Sequence, residues 1–205
     1  MERIRWSFNP PSAPHFGGLW EAGVKSFKTH LHRVVGEQVL TVEEFQTVLS
    51  QIEAVLNSRP LCPLSADPSD LEVLSPGHFL TTEPLVTLPG PDLSNTPMRQ
   101  LDRWQLLQRM LQDFWQRWRM EYLQTLQQRP KWLKQVTPLA EGALVLVQEA
   151  NAPPLQWKRG RITQLHPGRD GISRVATVRT AEGILTRPLV KLCPLPTDSS
   201  TAKLS

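Results

Sequence analysis

A chain of 205 residues with a formal charge of +4 is long enough to bury a core and holds one or two domains. No apolar run approaches the ~20 residues that a bilayer-spanning helix needs, which excludes an integral membrane segment of that kind. Cys62 and Cys193 stand far apart, with no CxxC pair and no His/Cys cluster at zinc spacing, so a zinc finger is excluded as well. The charge is unevenly placed. Residues 41–100 carry eight acids against Arg59 and Arg99, whereas residues 130–196 carry ten bases against four acids. The C-terminal third therefore has the composition of a polyanion-binding surface, and the count alone fits a solvated basic surface equally well. Met1-Glu2-Arg3-Ile4-Arg5 is not a hydrophobic signal segment, and the expectation is an intracellular, soluble chain with no membrane partner.

Pro10, Pro11, Pro14, Gly17 and Gly18 keep the first residues out of a continuous helix. From Leu19 to about Val35 the spacing turns helical, with Trp20, Val24, Phe27 and Leu31 on one side and Gly36 as a stop. Glu21, Lys25 and Lys28 fall at i, i+4 and i+7 on that helix, placing a carboxylate and two ammonium groups in one stripe. Such a stripe suits a metal-bound site that also grips phosphates; the plainer reading is an acid at a helix N-terminus and a solvated face. Thr41-Val42-Glu43-Glu44 opens a second helix as a capping box. Phe45, Val48, Leu49, Ile52, Val55 and Leu56 follow at helical spacing, and Asn57-Ser58-Arg59-Pro60 ends it.

Residues 61–96 read as a proline-rich connector in which no regular element of any length is expected, although Leu74–Leu80 is apolar enough to dock on the helices. Pro97 suits the first turn of a long helix running to about Gln128. Leu101, Trp104, Leu107, Leu111, Phe114, Trp118 and Tyr122 form its apolar stripe, which either builds the core or pairs with a second copy through residues 101–126.

Beyond Arg129-Pro130 the period becomes strand-like. Short strands are expected over Ala143–Gln148, Leu155–Leu165, Ser173–Thr180, Ile184–Arg187 and Leu189–Leu192, joined by tight turns and with a bulge in the third. Five such strands suggest a small antiparallel β-barrel over residues 130–196, followed by a disordered tail at 197–205. Lys158, Arg159, Arg161, Arg169, Arg174, Arg179 and Arg187 are its candidates for phosphate contact. Trp157 fills the barrel mouth or stacks on a base, the core role being the commoner for a large aromatic.

The order and spacing of several motifs resemble the integrase region of Pao/BEL-type retrotransposons. Trp6, Phe8-Asn9-Pro10, Pro14-His15, Gly17-Gly18 and Trp20-Glu21 look like the approach to the last carboxylate of an Asp, Asp, Glu triad. Ile52 and Leu56-Asn57-Ser58-Arg59-Pro60-Leu61 resemble the closing helix of the same catalytic core. Phe114-Trp115, Trp118, Glu121-Tyr122-Leu123 and Lys131-Trp132 are similar to the helical part of the C-terminal domain of unknown function in these polyproteins. Gly142, Val145, Trp157, Gly160-Arg161, Arg174-Val175 and Arg187-Pro188 are similar to its barrel part.

The resemblance implies an α+β fragment: residues 1–60 as the helical end of a ribonuclease-H-like integrase core, a connector, a long helix over 97–129 and the barrel. It implies DNA as the partner and a nuclear site of action, with Lys25 and Lys28 touching the ends of element DNA. Intact relatives join DNA by transesterification with Mg or Mn held by three carboxylates. Glu21 would match one of these, a relict catalytic and metal residue in an incomplete site. One glutamate cannot fix two such cations, so no cofactor and no integrase activity are expected of this chain by itself. The alternative is a protein-interaction or self-association module built on the Trp-rich helix.

Overall fold

In a computed structural model the chain is described over residues 18–65, 67–83, 85, 90–127 and 139–196. It divides into two compact units, 1–39 and 40–205. Trp6, Phe8-Asn9-Pro10, Pro14-His15 and Gly17, together with Lys131-Trp132 and the tail at 197–205, lie outside the described residues.

The first unit contributes helix α1, Gly18–Val35, which ends where Gly36 takes a positive φ of 55°. Its C-terminus is closed by the Gly36 N–H donating to the His32 carbonyl, as the glycine stop predicts.

In the second unit α2 spans Val42–Asn57. The expected capping box is present: the Glu44 N–H donates to Thr41 Oγ1 at 3.3 Å and the Thr41 N–H donates to Glu44 Oε2 at 2.8 Å. Val48, Ile52 and Val55 are fully buried on the face that lies against the long helix. The connector is more structured than its prolines suggest. Strands β1, Cys62–Pro63, and β2, Val73–Leu74, pair antiparallel, and Pro76–Thr81 forms a short helix, α3. Pro76 sits at the start of α3, where a missing N–H costs nothing, so here proline initiates a helix instead of preventing one. Phe79 and Leu80 remain exposed, and α3 approaches α2 through Gly77, whose position is 3.3 Å from the Asn57 carbonyl for any added Cβ.

The long helix α4 runs from Arg103 to Leu126 and not from Pro97. Asp102 is its N-cap, accepting from the Gln105 N–H at 2.7 Å, and the residues after Pro97 make a separate 3-10 turn, Met98–Gln100. Leu107, Leu111, Phe114 and Trp118 of the expected stripe are buried, and so are Leu106, Met110, Trp115 and Arg119 beside it. The buried arc is broad because α2 and the C-terminal sheet region both cover α4. Trp104, which the stripe includes, is 61% exposed.

Strands β3, Leu144–Val147, β4, Arg159–Pro167, β5, Ser173–Thr180, β6, Gly183–Pro188, and β7, Leu192–Pro194, form one antiparallel sheet in the order β6-β5-β4-β3-β7. It does not close into a barrel. The edge strands β6 and β7 are joined through Pro188 and a 3-10 turn, Leu189–Lys191, and do not pair with each other. That turn replaces the start of the expected fifth strand. Leu155, at a φ of 61°, cannot sit in a strand, so β4 begins four residues later than its composition suggests.

The register slips at Thr163 on β4 and at Arg174 on β5, the latter being the expected bulge of the third strand. All four residues of β3 are buried. Leu144 and Leu146 join Leu123, Val73, Cys193 and Leu195 on one face, while Val145 and Val147 join Ile162, Ala176, Val178 and Leu192 on the other.

Candidate nucleic-acid interface

Four aromatics link α4 to the segment before β4. Trp157 meets Trp115, Trp118 and Tyr122 edge-on, with ring centroids 4.8, 6.1 and 5.5 Å apart. Its indole N–H donates to Ser58 Oγ at 3.1 Å, and the Tyr122 hydroxyl donates to the Pro60 carbonyl. Trp157 is therefore a partly buried residue packed against the core, and it joins the segment before β4 to the end of α2. Burial pushes the Tyr122 hydroxyl up to about 12.

Arg119 completes the joint. It is buried, its guanidinium lies over the Trp115 ring at 5.4 Å, and its Nη2 donates to the Glu149 and Ala150 carbonyls. Desolvation lowers its pKa. Nothing in the sequence pattern singles it out, because a buried arginine in an apolar arc looks like a surface residue until its acceptors are known.

The basic residues of the sheet separate into groups. Arg161 on β4 stands directly across from Arg179 on β5, and Arg159 lies two residues before Arg161 on the same face. Arg187 pairs across from Ala176 and so belongs to the opposite face. Arg174 is exposed and bonded to Asp170 Oδ2 at 2.7 Å, which holds that carboxyl below its usual range. Lys158 is gripped by Glu182 at 2.8 Å and Glu149 at 2.9 Å, and its pKa is raised accordingly. The structure thus brings Arg159, Arg161 and Arg179 together and leaves Lys158, Arg174 and Arg187 apart from them; Arg169 is exposed in the turn before β5.

The three co-facial arginines meet the connector. Arg161 Nε donates to the Asp70 carbonyl at 3.0 Å, its Nη2 to the Asp67 carbonyl at 2.8 Å and its Nη1 to the Gly142 carbonyl at 3.0 Å. Arg179 Nη2 donates to the Pro68 carbonyl at 2.7 Å, and Arg159 Nη1 to Glu72 Oε2 at 3.1 Å. The Asp67 carboxyl is held below its usual range by the Ser69 N–H and hydroxyl first, with Arg161 and Arg179 adding to the effect.

On α1, Glu21, Lys25 and Lys28 are all exposed. No group of three His, Cys, Asp or Glu side chains that could hold a metal occurs among the described residues. No helix among them is long and apolar enough to cross a membrane.

The structural unit made by α4 and the sheet begins at the N-cap Asp102 and closes at Leu195, which is buried and donates its N–H to the Leu144 carbonyl. A family boundary falls at the same two places. Residues 102–195 form a DUF5641 domain. DUF5641 is a family of unknown function. No curated protein and no solved structure matches the chain. Residues 58–74, which receive Trp157, Tyr122 and the three arginines, lie before the DUF5641 domain and cover part of it.

Proposed function

We propose that the chain is a nucleic-acid-binding fragment of a Pao/BEL-type retrotransposon integrase, touching DNA through the arginine face of its DUF5641 sheet. In this reading α1 and α2 are the closing helices of a ribonuclease-H-like core, Glu21 is a relict carboxylate, and the chain performs no strand transfer by itself. Lys25 and Lys28, exposed on α1, supply a second set of phosphate contacts in the same reading.

The observation that carries the reading is the register of Arg161 against Arg179 with Arg159 alongside. Like charges directly opposite on a sheet are destabilising unless acceptors gather around them. Guanidinium forks match phosphate oxygens two at a time, so such a face suits a polyanion. The ion pair already present there is weak: Arg159 and Glu72 are 30% and 55% exposed, and pairs of that exposure are worth at most about 1 kcal/mol. Several phosphates with released counterions outweigh it at low salt.

The test is fluorescence anisotropy of a labelled random-sequence duplex titrated with the full chain. Three arginine and two lysine contacts predict a loss of about 500-fold in affinity between about 50 and 200 mM salt. No binding at the lower salt, or binding indifferent to salt, overturns the proposal. Metal-dependent strand transfer that disappears in Glu21→Gln would overturn its non-catalytic half.

A further inference from the structure

We infer that the acidic turn Asp67–Asp70, together with the Glu72 carboxylate, is a displaceable cover over the arginine face, so that nucleic acid binds in competition with a segment of the chain itself. This rests on the reading of that face as a nucleic-acid surface.

Each of the three guanidinium groups is met by acceptors from one six-residue stretch: Asp67, Pro68 and Asp70 through their carbonyls, Glu72 through its carboxylate. The stretch carries three acids, and it belongs to the part of the chain in which acids outnumber bases eight to two. Its tip behaves as a cover and not as core. Asp67, Pro68 and Ser69 are exposed, and the tip is held to the sheet by polar contacts with arginines.

Its base is anchored independently. Val73 is buried and Leu71 packs against the same cluster, β1 pairs with β2, and the Leu64 N–H donates to the Glu72 carbonyl at 3.0 Å. The turn also holds its own shape, with the Ser69 N–H on Asp67 Oδ1 and the Glu72 N–H on Asp70 Oδ1. It can therefore lift without unfolding. Phosphate oxygens present the same acceptor geometry as the carbonyls they would replace, with full negative charge in addition. Arg161 keeps its bond to the Gly142 carbonyl in either state, which leaves the fork oriented when the turn departs.

Asp67→Asn/Asp70→Asn/Glu72→Gln retains the turn's internal acceptors and the anchors while removing three charges. Measured with the same duplex at low salt, this variant should bind on the order of tenfold more tightly than wild type. Wild-type protein gives the second readout: endoproteinase Asp-N should cut at Asp67 or Asp70 several-fold faster once duplex DNA is added. Equal affinity in the variant, or cutting that is unchanged or slowed by DNA, overturns the cover while salt-sensitive binding by both proteins leaves the nucleic-acid reading intact. No binding by either protein at low salt overturns both.

Discussion

Arg161 spends its guanidinium on three carbonyls, those of Asp67, Asp70 and Gly142, and makes no salt bridge among the described residues. A surface arginine so engaged is both a structural clamp and a reserve of positive charge, because neutral acceptors satisfy its donors without cancelling its field. Tyr122 shows the opposite case, a polar group whose charge the fold suppresses. Its hydroxyl is pushed up to about 12 by burial beneath Trp118 and Trp157. A tyrosine raised above its ordinary value of 10.0 stays protonated in the folded chain while the unfolded chain ionises, so its contribution to stability is complete below pH 10 and is lost between pH 10 and 12. The loss amounts to about 3 kcal/mol across that window. Tyr122 is the sole tyrosine of the chain, so phenolate absorbance near 295 nm reads it directly. A folded-state midpoint near 12 is expected, and a midpoint near 10 would place the hydroxyl in water. That Arg159, Arg161 and Arg179 are candidate contacts was legible in the sequence as bases at strand spacing. Their partners in the connector were not, since those acceptors lie 87 to 111 residues away and most are backbone carbonyls, which no side-chain pattern reports.

Helix ends were readable where a side chain caps them and misread where a weaker signal competed. Thr41 with Glu44 marked the start of α2 to the residue. At α4 the proline at 97 drew the boundary too early, because Asp102 and Gln105 form a capping box that the proline signal hid. The two missed elements of the connector, α3 and the β1–β2 pair, are too short to show a period and owe their existence to tertiary contacts. Five antiparallel strands were legible from turn residues and alternation, whereas closure was not, because it depends on whether Pro188 and the turn after it let the edges meet. Gly160 shows what holds the middle of the sheet together. A Cβ there would stand 2.4 Å from Val178 Cγ1 and 2.8 Å from the Arg179 carbonyl, so β4 and β5 come closer than any side chain allows. Gly160→Ala should destabilise the domain by about 2 kcal/mol, read as a lower midpoint in chemical denaturation. An unchanged midpoint would mean that the strands part at this point without cost.

The second unit is organised around charge separation and one central helix. α4 carries α2 on one side and reaches the sheet region on the other through Trp115, Arg119 and Gln127, while the acids of residues 41–100 include the turn that lies over the basic sheet. The asymmetry visible in the sequence is thus partly neutralised inside the molecule, and the part of it that a polyanion can reach is what the proposed function depends on. The self-association reading loses most of its surface in the same arrangement, since Leu107, Leu111, Phe114 and Trp118 are spent on the chain's own core. The most direct measurement is the salt dependence of duplex DNA binding by wild type and by Arg159→Gln/Arg179→Gln. Arg161 is left in place there because it also ties Gly142. A log–log slope of about −4.5 for wild type, from three arginines and two lysines, should fall to about −2.7 in the double variant if these arginines meet phosphates. The same slope in both proteins, or no binding by the wild type, would contradict a DNA-binding arginine face.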